Sequence, residues 1–452
     1  MAVGPCMVAC AGAIGELAWP NSHALMLALT GAVTAVQVGA LRASTREAVP
    51  LAALVIAVLN SVGAAGYYFF DAVADKGDAS SRVLTTDAGT YRAAAITFAT
   101  ASLCLWTGAL VAARPGRPTA IRLPRLTRPV GSWVLLSTGS VPIVLHVVGQ
   151  GWHEVLIRTG YQTVGGPVLL IKAGSLLTPI GMTLAALVVF DPNRKSARSI
   201  GVAMLVVYFG LALSRDTRGI GLLPVCLLIG AFATGRRIRR RTVLVTALAT
   251  AFLFQLPLAL RGDAGDSAGL IPYAHQLAHD PGSAFVSEPY SVLGNLLFSV
   301  PLTGVVATQE HFPRKALITS LDPLPGQFTD WEDIKSGLRV NSAVPFSGLG
   351  ELASSGYGWL VAVFLLLGAG LTAAQRAIAA LPGLRSTGGF VVGSALTIFL
   401  SVGLLEYNLR SDLRYFWDLG ALVLLLRCWP TCGPDPSASS ALPPRSDWQA
   451  GR

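Results

Sequence analysis

Long apolar runs, separated by short polar segments, make up most of this 452-residue chain. A bilayer-spanning helix needs roughly 20 mostly apolar residues, and we interpret eleven of the runs as such helices. The predicted spans cover residues 24–41, 49–71, 93–113, 131–151, 166–190, 199–214, 219–235, 242–260, 356–375, 388–406 and 415–428. Transmembrane strands would alternate apolar and polar positions over about 10 residues, and these runs do not. The pattern therefore predicts an all-α fold, a polytopic transmembrane helix bundle.

A further apolar segment, "VGPCMVACAGAIGELAW", precedes the first of these spans at residues 3–19. It is short for a span and carries Glu16, so we interpret it either as an extra span or as an interfacial segment. It has no basic leader, which argues against a cleaved signal peptide. As a span it would raise the total to twelve and place both chain ends in the cytoplasm.

Composition and charge support a membrane protein and add its orientation. Only 13% of the residues are charged, whereas soluble domains carry about 25%. The net charge of +10 comes from arginine-rich loops at residues 42–46, 114–128, 194–198 and 236–241. Two predicted spans separate each of these loops from the next. This is the pattern of cytoplasmic loops, so the charge indicates topology rather than a nucleic-acid partner.

The predicted organisation has four parts. Residues 1–260 form an N-terminal transmembrane bundle of seven to eight spans, and residues 261–350 a long external loop. Residues 351–428 contain the C-terminal spans, and the Pro- and Ser-rich residues 429–452 form a disordered cytoplasmic tail. An apolar stretch at 291–308 inside the loop is predicted to be a re-entrant or surface-lying helix. We expect the loop to cover a substrate cavity.

Three predicted outer helix ends carry arginines, although Lys and Arg are depleted in outer loops. The first is the turn "SRDTRG", the second follows the span that ends near residue 260, and the third is "RSDLR". The arginines at these ends are Arg215, Arg218, Arg261, Arg410 and Arg414. An arginine fork binds phosphate oxygens with two parallel hydrogen bonds, so the set predicts a lipid-linked phosphate or pyrophosphate at the outer leaflet.

A structural interpretation of the same arginines stays open. "SRDTRG" also suits a solvated hairpin tip, and the arginines could pair with Asp216 and Asp412.

Three carboxyl groups near the outer face are candidates for a general base, in the order Glu351, Asp216 and Asp412, with His311 behind them. His275 and His279 are four positions apart, but this spacing alone is weak for a metal site. We expect no metal and no cofactor.

The segment that leads into the span at 356–375 carries a family resemblance. Pro345-Phe346-Ser347, then Gly350-Glu351-Leu352, then Gly356-Tyr357-Gly358 before a Gly-rich span, resembles Wzy-type oligosaccharide repeat-unit polymerases, the O-antigen polymerase family. "SRDTRG" and "RSDLR" look like the outer arginine sites of that family. The first departs from the family's Gly-Ser-Arg-Gly-like turn, which leaves open whether Arg215 or Arg218 binds.

The resemblance implies a metal-independent glycosyltransferase whose active site faces outward from the cytoplasmic membrane of a bacterium. The donor would be a glycan on undecaprenyl pyrophosphate, and the acceptor a second lipid-linked repeat unit. The arginines would hold the pyrophosphate leaving group in the membrane lipid environment. A flippase and a chain-length regulator are implied as partners. Three alternatives remain: a lipid-linked glycan ligase, a polyprenyl-phosphate-dependent glycosyltransferase, and a polysaccharide or lipid transporter.

Overall fold

The structure is a computed structural model. It describes residues 23–47, 49–74, 88–113, 132–159, 168–191, 195–215, 218–234, 236, 239–263, 267–284, 297–309, 314–322, 329, 331–336, 338, 340, 346–381 and 384–428. The fold in these residues is helical, with one antiparallel pair of two-residue strands, β1 (Arg158–Thr159) and β2 (Ser267–Ala268). The prediction of an all-α transmembrane bundle is confirmed.

The described part of the chain contains α-helices of very different lengths. They are α1 (His23–Thr45), α2 (Leu51–Ala74), α3 (Ala88–Ala112), α4 (Ser132–Gln150), α5 (Trp152–Leu156), α6 (Val168–Phe190), α7 (Lys195–Ser214), α8 (Leu222–Ala233), α9 (Arg240–Asp263), α10 (Leu270–His279), α11 (Ser299–Thr308), α12 (Arg314–Leu321), α13 (Trp331–Ser336), α14 (Gly348–Ser354), α15 (Tyr357–Ala379), α16 (Leu384–Glu406) and α17 (Leu409–Cys428). Two short 3-10 helices, η1 (Arg218–Gly221) and η2 (Pro281–Ala284), complete the order.

Several of these helices identify a multi-pass membrane protein. Four described helices are long and apolar enough to cross a membrane: Gly89–Ala112, Ser132–Gln150, Ser196–Ser214 and Tyr357–Ala379. The two parts of α6 count as a fifth if they are taken together across their bend. The total of eleven or twelve spans stays a prediction, because other apolar helices among the described residues extend over only 10–17 residues, namely Leu51–Gly66, Leu222–Ala231, Leu244–Phe254 and Val392–Leu405. The possible extra span at residues 3–19 lies outside the described residues.

The helices pack around separate apolar cores that do not follow chain order. One core joins α1–α3 to α11, α12 and α14–α17, so the beginning of the chain packs with its end. Two smaller cores lie between α4 and α6–α10. The domain boundaries at residues 260 and 350 stay a prediction, and this packing groups the helices across them.

Small residues allow the closest helix contact in the first core, between α3 and α15. A Cβ atom built on Gly108 would collide with the carbonyl oxygen of Leu365, and one built on Gly368 would collide with that of Leu105. Both glycines therefore let the two backbones approach as small residues do in membrane helix pairs. This contact holds α15 against α3 and sets the position of α14, which immediately precedes α15.

The apolar stretch predicted at 291–308 contains α11, which begins at Ser299. Most of its side chains are buried, and it packs against α2, α3 and α14. Ten residues rise about 15 Å, about half of a hydrocarbon core. Its length and burial favour the re-entrant alternative over the surface-lying one. Residues 291–296 lie outside the described residues.

Candidate functional site

The start of α17 collects most of the polar chemistry in the first core. Asn408 caps the helix, because its Oδ1 accepts hydrogen bonds from the backbone N–H of Ser411 (3.0 Å) and from its hydroxyl (3.0 Å). The backbone N–H of Leu409 has no partner inside the helix at this position, and it donates to Oε2 of Glu351 at 2.9 Å. This bond joins α14 to the N-terminal end of α17. We term Glu351, Arg410, Asp412 and Arg414 the C-terminal cluster.

The two carboxyl groups of this cluster are enclosed by protein. Glu351 is 1% exposed and Asp412 is 0% exposed. The Oε1 atom of Glu351 and both carboxyl oxygens of Asp412 have no hydrogen-bond partner among the described residues. Buried polar atoms usually have partners, since an unsatisfied one costs about 1–3 kcal/mol. Three such atoms in one place therefore require an explanation beyond helix packing.

Two glycines make room for the Asp412 carboxyl group. A Cβ atom built on Gly348, in α14, would lie 2.5 Å from Oδ2 of Asp412, and one built on Gly403, in α16, would collide with Oδ1. The same Cβ on Gly348 would lie 3.3 Å from the backbone nitrogen of Leu409, which binds Glu351. Both carboxyl groups therefore meet around the first turn of α17.

Burial changes the acid strength of Glu351. Loss of hydration raises the pKa of its carboxyl group to about 8, against a smaller opposing effect of the Leu409 N–H bond. The protonated form therefore predominates at neutral pH. A protonated carboxyl group donates a proton rather than accepting one, so the role of general base that the sequence favoured for Glu351 remains a prediction and requires that it first ionise.

The two arginines of the C-terminal cluster have different surroundings. Arg410 is 1% exposed, donates from Nη1 to the backbone oxygen of Thr319 in α12, and places its guanidinium 5.3 Å from the ring centre of Trp331 in α13. Arg414 is half-buried one turn further along α17. The hydrogen-bonded pairing of these arginines with Asp412, which was open from the sequence, does not form among the described residues.

A second polar group surrounds Arg215 at the end of α7. Its Nη1 donates to Nδ1 of His146 at 3.0 Å and to the hydroxyl of Ser175 at 2.7 Å. Nε2 of His146 lies 3.1 Å from Oγ1 of Thr178, whose own proton is used by the backbone oxygen of Gly174. We therefore assign the neutral His146 tautomer with its proton on Nε2. We term His146, Ser175, Thr178 and Arg215 the middle cluster.

A bend in α6 places the hydroxyl groups of the middle cluster. The two parts of α6, Leu169–Ser175 and Leu177–Phe190, are inclined by 43°. Pro179 lies four residues after Ser175, and a proline displaces the carbonyl four positions before it and kinks the helix there. The bend thus occurs next to Ser175, whose hydroxyl accepts a hydrogen bond from Arg215.

His146 was missed by sequence reasoning, and the available signal was a single ionisable residue inside an apolar span.

The other predicted site residues are described less fully. Arg218 lies in η1 and Arg261 in α9, and these two elements pack together with the end of α7 around Leu213, Ile220 and Leu260. The backbones of these two arginines and of Arg215 are thus brought near one another. Asp216 and His311 lie outside the described residues.

A metal site receives little support from the described residues. His275 and His279 stack with ring centres 3.9 Å apart, and both side chains are exposed. In the described ranges no three His, Cys, Asp or Glu side chains come together in a way that could hold a metal ion. Metal independence remains a prediction.

Comparison of the chain with protein-family models, with curated proteins and with solved structures gave no match. The resemblance to repeat-unit polymerases therefore rests on the short motifs alone. The function must be argued from the two clusters.

Proposed function

We propose that the protein is a glycosyltransferase that polymerises undecaprenyl-pyrophosphate-linked oligosaccharide repeat units at the outer face of a bacterial cytoplasmic membrane. The observation that carries this proposal is the C-terminal cluster, in which two buried carboxyl groups meet at the start of a helix whose first turns also carry two arginines. The proposed transfer needs a group that moves a proton and cations that stabilise a phosphorylated leaving group. Carboxyl and guanidinium groups suit these two tasks.

The proposed reaction balances without a cofactor. A hydroxyl oxygen of the acceptor repeat unit attacks the anomeric carbon of the donor glycan, forming the new glycosidic bond. The bond from that carbon to the pyrophosphate oxygen breaks, and undecaprenyl pyrophosphate leaves with the electron pair. The hydroxyl proton passes to a carboxylate, for which Asp412 and an ionised Glu351 are the candidates.

Among the arginines, the contacts favour Arg414 over Arg410 as the ligand of the pyrophosphate. The Arg410 guanidinium is engaged with Thr319 and Trp331, so it attaches α12 and α13 to the start of α17. Arg414 is half-buried. After burial itself, its positive charge is the next contribution that lowers the pKa of the Arg410 guanidinium, so the two side chains are near each other. Arg410 is thus a positioning residue in this proposal, and Arg414 binds substrate.

A transfer assay with the purified full-length chain tests the proposal. Lipid-linked repeat units from a strain that lacks the protein are incubated with it in detergent, and the products are separated by length. We expect a ladder of products with the wild type and with Arg376→Ala, a matched exposed arginine at the other end of α15. Absence of any product longer than one repeat unit would contradict the polymerase.

A proton-coupled transporter of lipid-linked saccharide is a second candidate, and the complete burial of Glu351 and Asp412 favours it. Buried carboxyl groups in membrane bundles often carry protons in transporters. The same assay separates the candidates, because a transporter forms no glycosidic bond in detergent. A ligase would instead transfer the glycan once, to a different acceptor.

A further inference from the structure

The carboxyl groups of Glu351 and Asp412 come from two different helices and converge on one small space. Oε2 of Glu351 binds the N–H of Leu409, while Asp412 lies between the backbones of Gly348 and Gly403. Three of the four carboxyl oxygens have no hydrogen-bond partner among the described residues. Because both groups are 0–1% exposed, bulk water cannot hydrate these oxygens.

Two neighbouring carboxylates in such a space are difficult to ionise together. Each negative charge disfavours the other, and burial disfavours both. A proton bound at the pair removes one charge and supplies the hydrogen-bond donor that the oxygens lack. The close approach of the two glycine backbones to Asp412 leaves no space on those sides for the several oxygen ligands that a metal cation takes.

Other charged or titratable groups lie on the elements that pack against the pair. On α17 they are Arg410, Arg414, Tyr415, Asp418, Arg427 and Cys428, with Tyr407 just before that helix. On the other elements they are Arg314, Lys315 and Asp322 in and after α12, Tyr91, Arg92 and Cys104 on α3, and Tyr357 and Arg376 on α15. No titratable residue occurs in the α11 sequence, and Arg385 and Glu406, at the two ends of α16, are described by their backbones alone. The Arg410 guanidinium is directed to Thr319 and Trp331, so it does not satisfy the carboxyl oxygens.

We propose that Glu351 and Asp412 form one proton-binding site, in which a proton is shared between the two carboxyl groups and each group controls the ionisation of the other. This site goes beyond the proposed transfer reaction and exists whether or not the protein polymerises saccharides. It could take up the acceptor proton in a glycosyltransferase, or carry a proton in a transporter.

Infrared spectroscopy of the purified full-length protein in lipid nanodiscs tests this site without any substrate. The carbonyl stretch of protonated carboxyl groups is followed from pH 5 to pH 10 in wild type, Glu351→Gln and Asp412→Asn. The wild type should keep a protonated carboxyl component at pH 7, since burial raises the pKa of Glu351 to about 8, and should lose it as the pH rises further. In each amide variant the midpoint of the remaining carboxyl group should fall by about one pH unit or more, because its charged neighbour is gone.

Glu47→Gln is the matched control. Glu47 is also buried, lies between α1 and α2, and loss of hydration raises its pKa to about 7. Its replacement should remove a separate infrared component and leave the midpoint of the pair unchanged. The proposal is overturned if the midpoints in both amide variants equal that of the wild type. It is also overturned if both carboxyl groups are fully ionised at pH 7 and added Na⁺ stabilises this ionised form. Melting curves at pH 5 show whether each variant is folded. Because the infrared experiment uses no saccharide, failure of the polymerase assay does not affect its result.

Discussion

Arg215 and Arg410 each lie within two residues of a helix end, yet the groups around them differ in kind. Nη1 of Arg215 binds neutral groups, the His146 ring and the Ser175 hydroxyl. Arg410 binds a peptide oxygen and an aromatic ring, and it lies in the first turn of α17, where the buried Glu351 and Asp412 carboxyl groups meet. The middle cluster is therefore organised by a kinked helix, whereas the C-terminal cluster is organised around a site that can hold a proton. Arginines that look equivalent in the sequence have different roles available to them.

The largest expected effect follows from removing the proposed pyrophosphate ligand in the C-terminal cluster. Arg414→Ala should lower the rate of chain extension by about 100- to 1,000-fold, since preorganised donors to a developing charge contribute on this scale. The rate is measured from the product ladder with lipid-linked repeat units. Arg376→Ala is the control and should extend chains at the wild-type rate. Equal rates in the two variants would remove Arg414 from the site.

The middle cluster should show a smaller loss. His146→Phe removes the acceptor of the Arg215 bond, and a hydrogen bond to a charged group is worth about 1.5–3 kcal/mol. We expect chain extension to fall by about 10- to 100-fold if Arg215 holds substrate, as measured in the same assay. His153→Phe changes an exposed histidine in α5 and serves as the control. An unchanged rate in His146→Phe would make the middle cluster purely structural.

The fold could be predicted from the sequence more completely than the two polar clusters could. Hydropathy indicates the helical fold, because a chain in lipid must satisfy its backbone hydrogen bonds within each helix. Glu351 and Asp412 were both identified as candidates, but their convergence depends on the bond across 58 positions to Leu409 and on the packing of α14 against α17. For His146 the signal was only its position as an ionisable residue in an apolar run, where a lone histidine is usually structural. Its partner Arg215 lies 69 positions away, so the sequence did not connect the two.

A glycine substitution tests how tightly the carboxyl pair is enclosed. Gly403→Ala places a methyl group against Oδ1 of Asp412 and should destabilise the protein by about 1–3 kcal/mol, as overpacking of a core does. Gly420→Ala, in α17, is the control, since nothing lies within 4 Å of its added Cβ. It should be neutral or slightly stabilising, because alanine is the better helix former. Thermal unfolding in nanodiscs measures both, and equal melting temperatures would mean that Asp412 can move away.

A dependence of stability on pH separates the paired carboxyl group from a single one. Burial raises the pKa of Glu351 to about 8 and that of Glu47 to about 7, from 4.5 in both cases. The folded state therefore binds more protons than the unfolded state above pH 4.5, so stability falls as pH rises until each group ionises in the folded protein. The melting temperature should drop by a few degrees between pH 5 and pH 8. Glu47→Gln should flatten this decline mainly up to pH 7, whereas Glu351→Gln should also flatten the part from pH 7 to pH 8. A wild-type melting temperature that rises over this range would show that both carboxyl groups are stabilised as carboxylates.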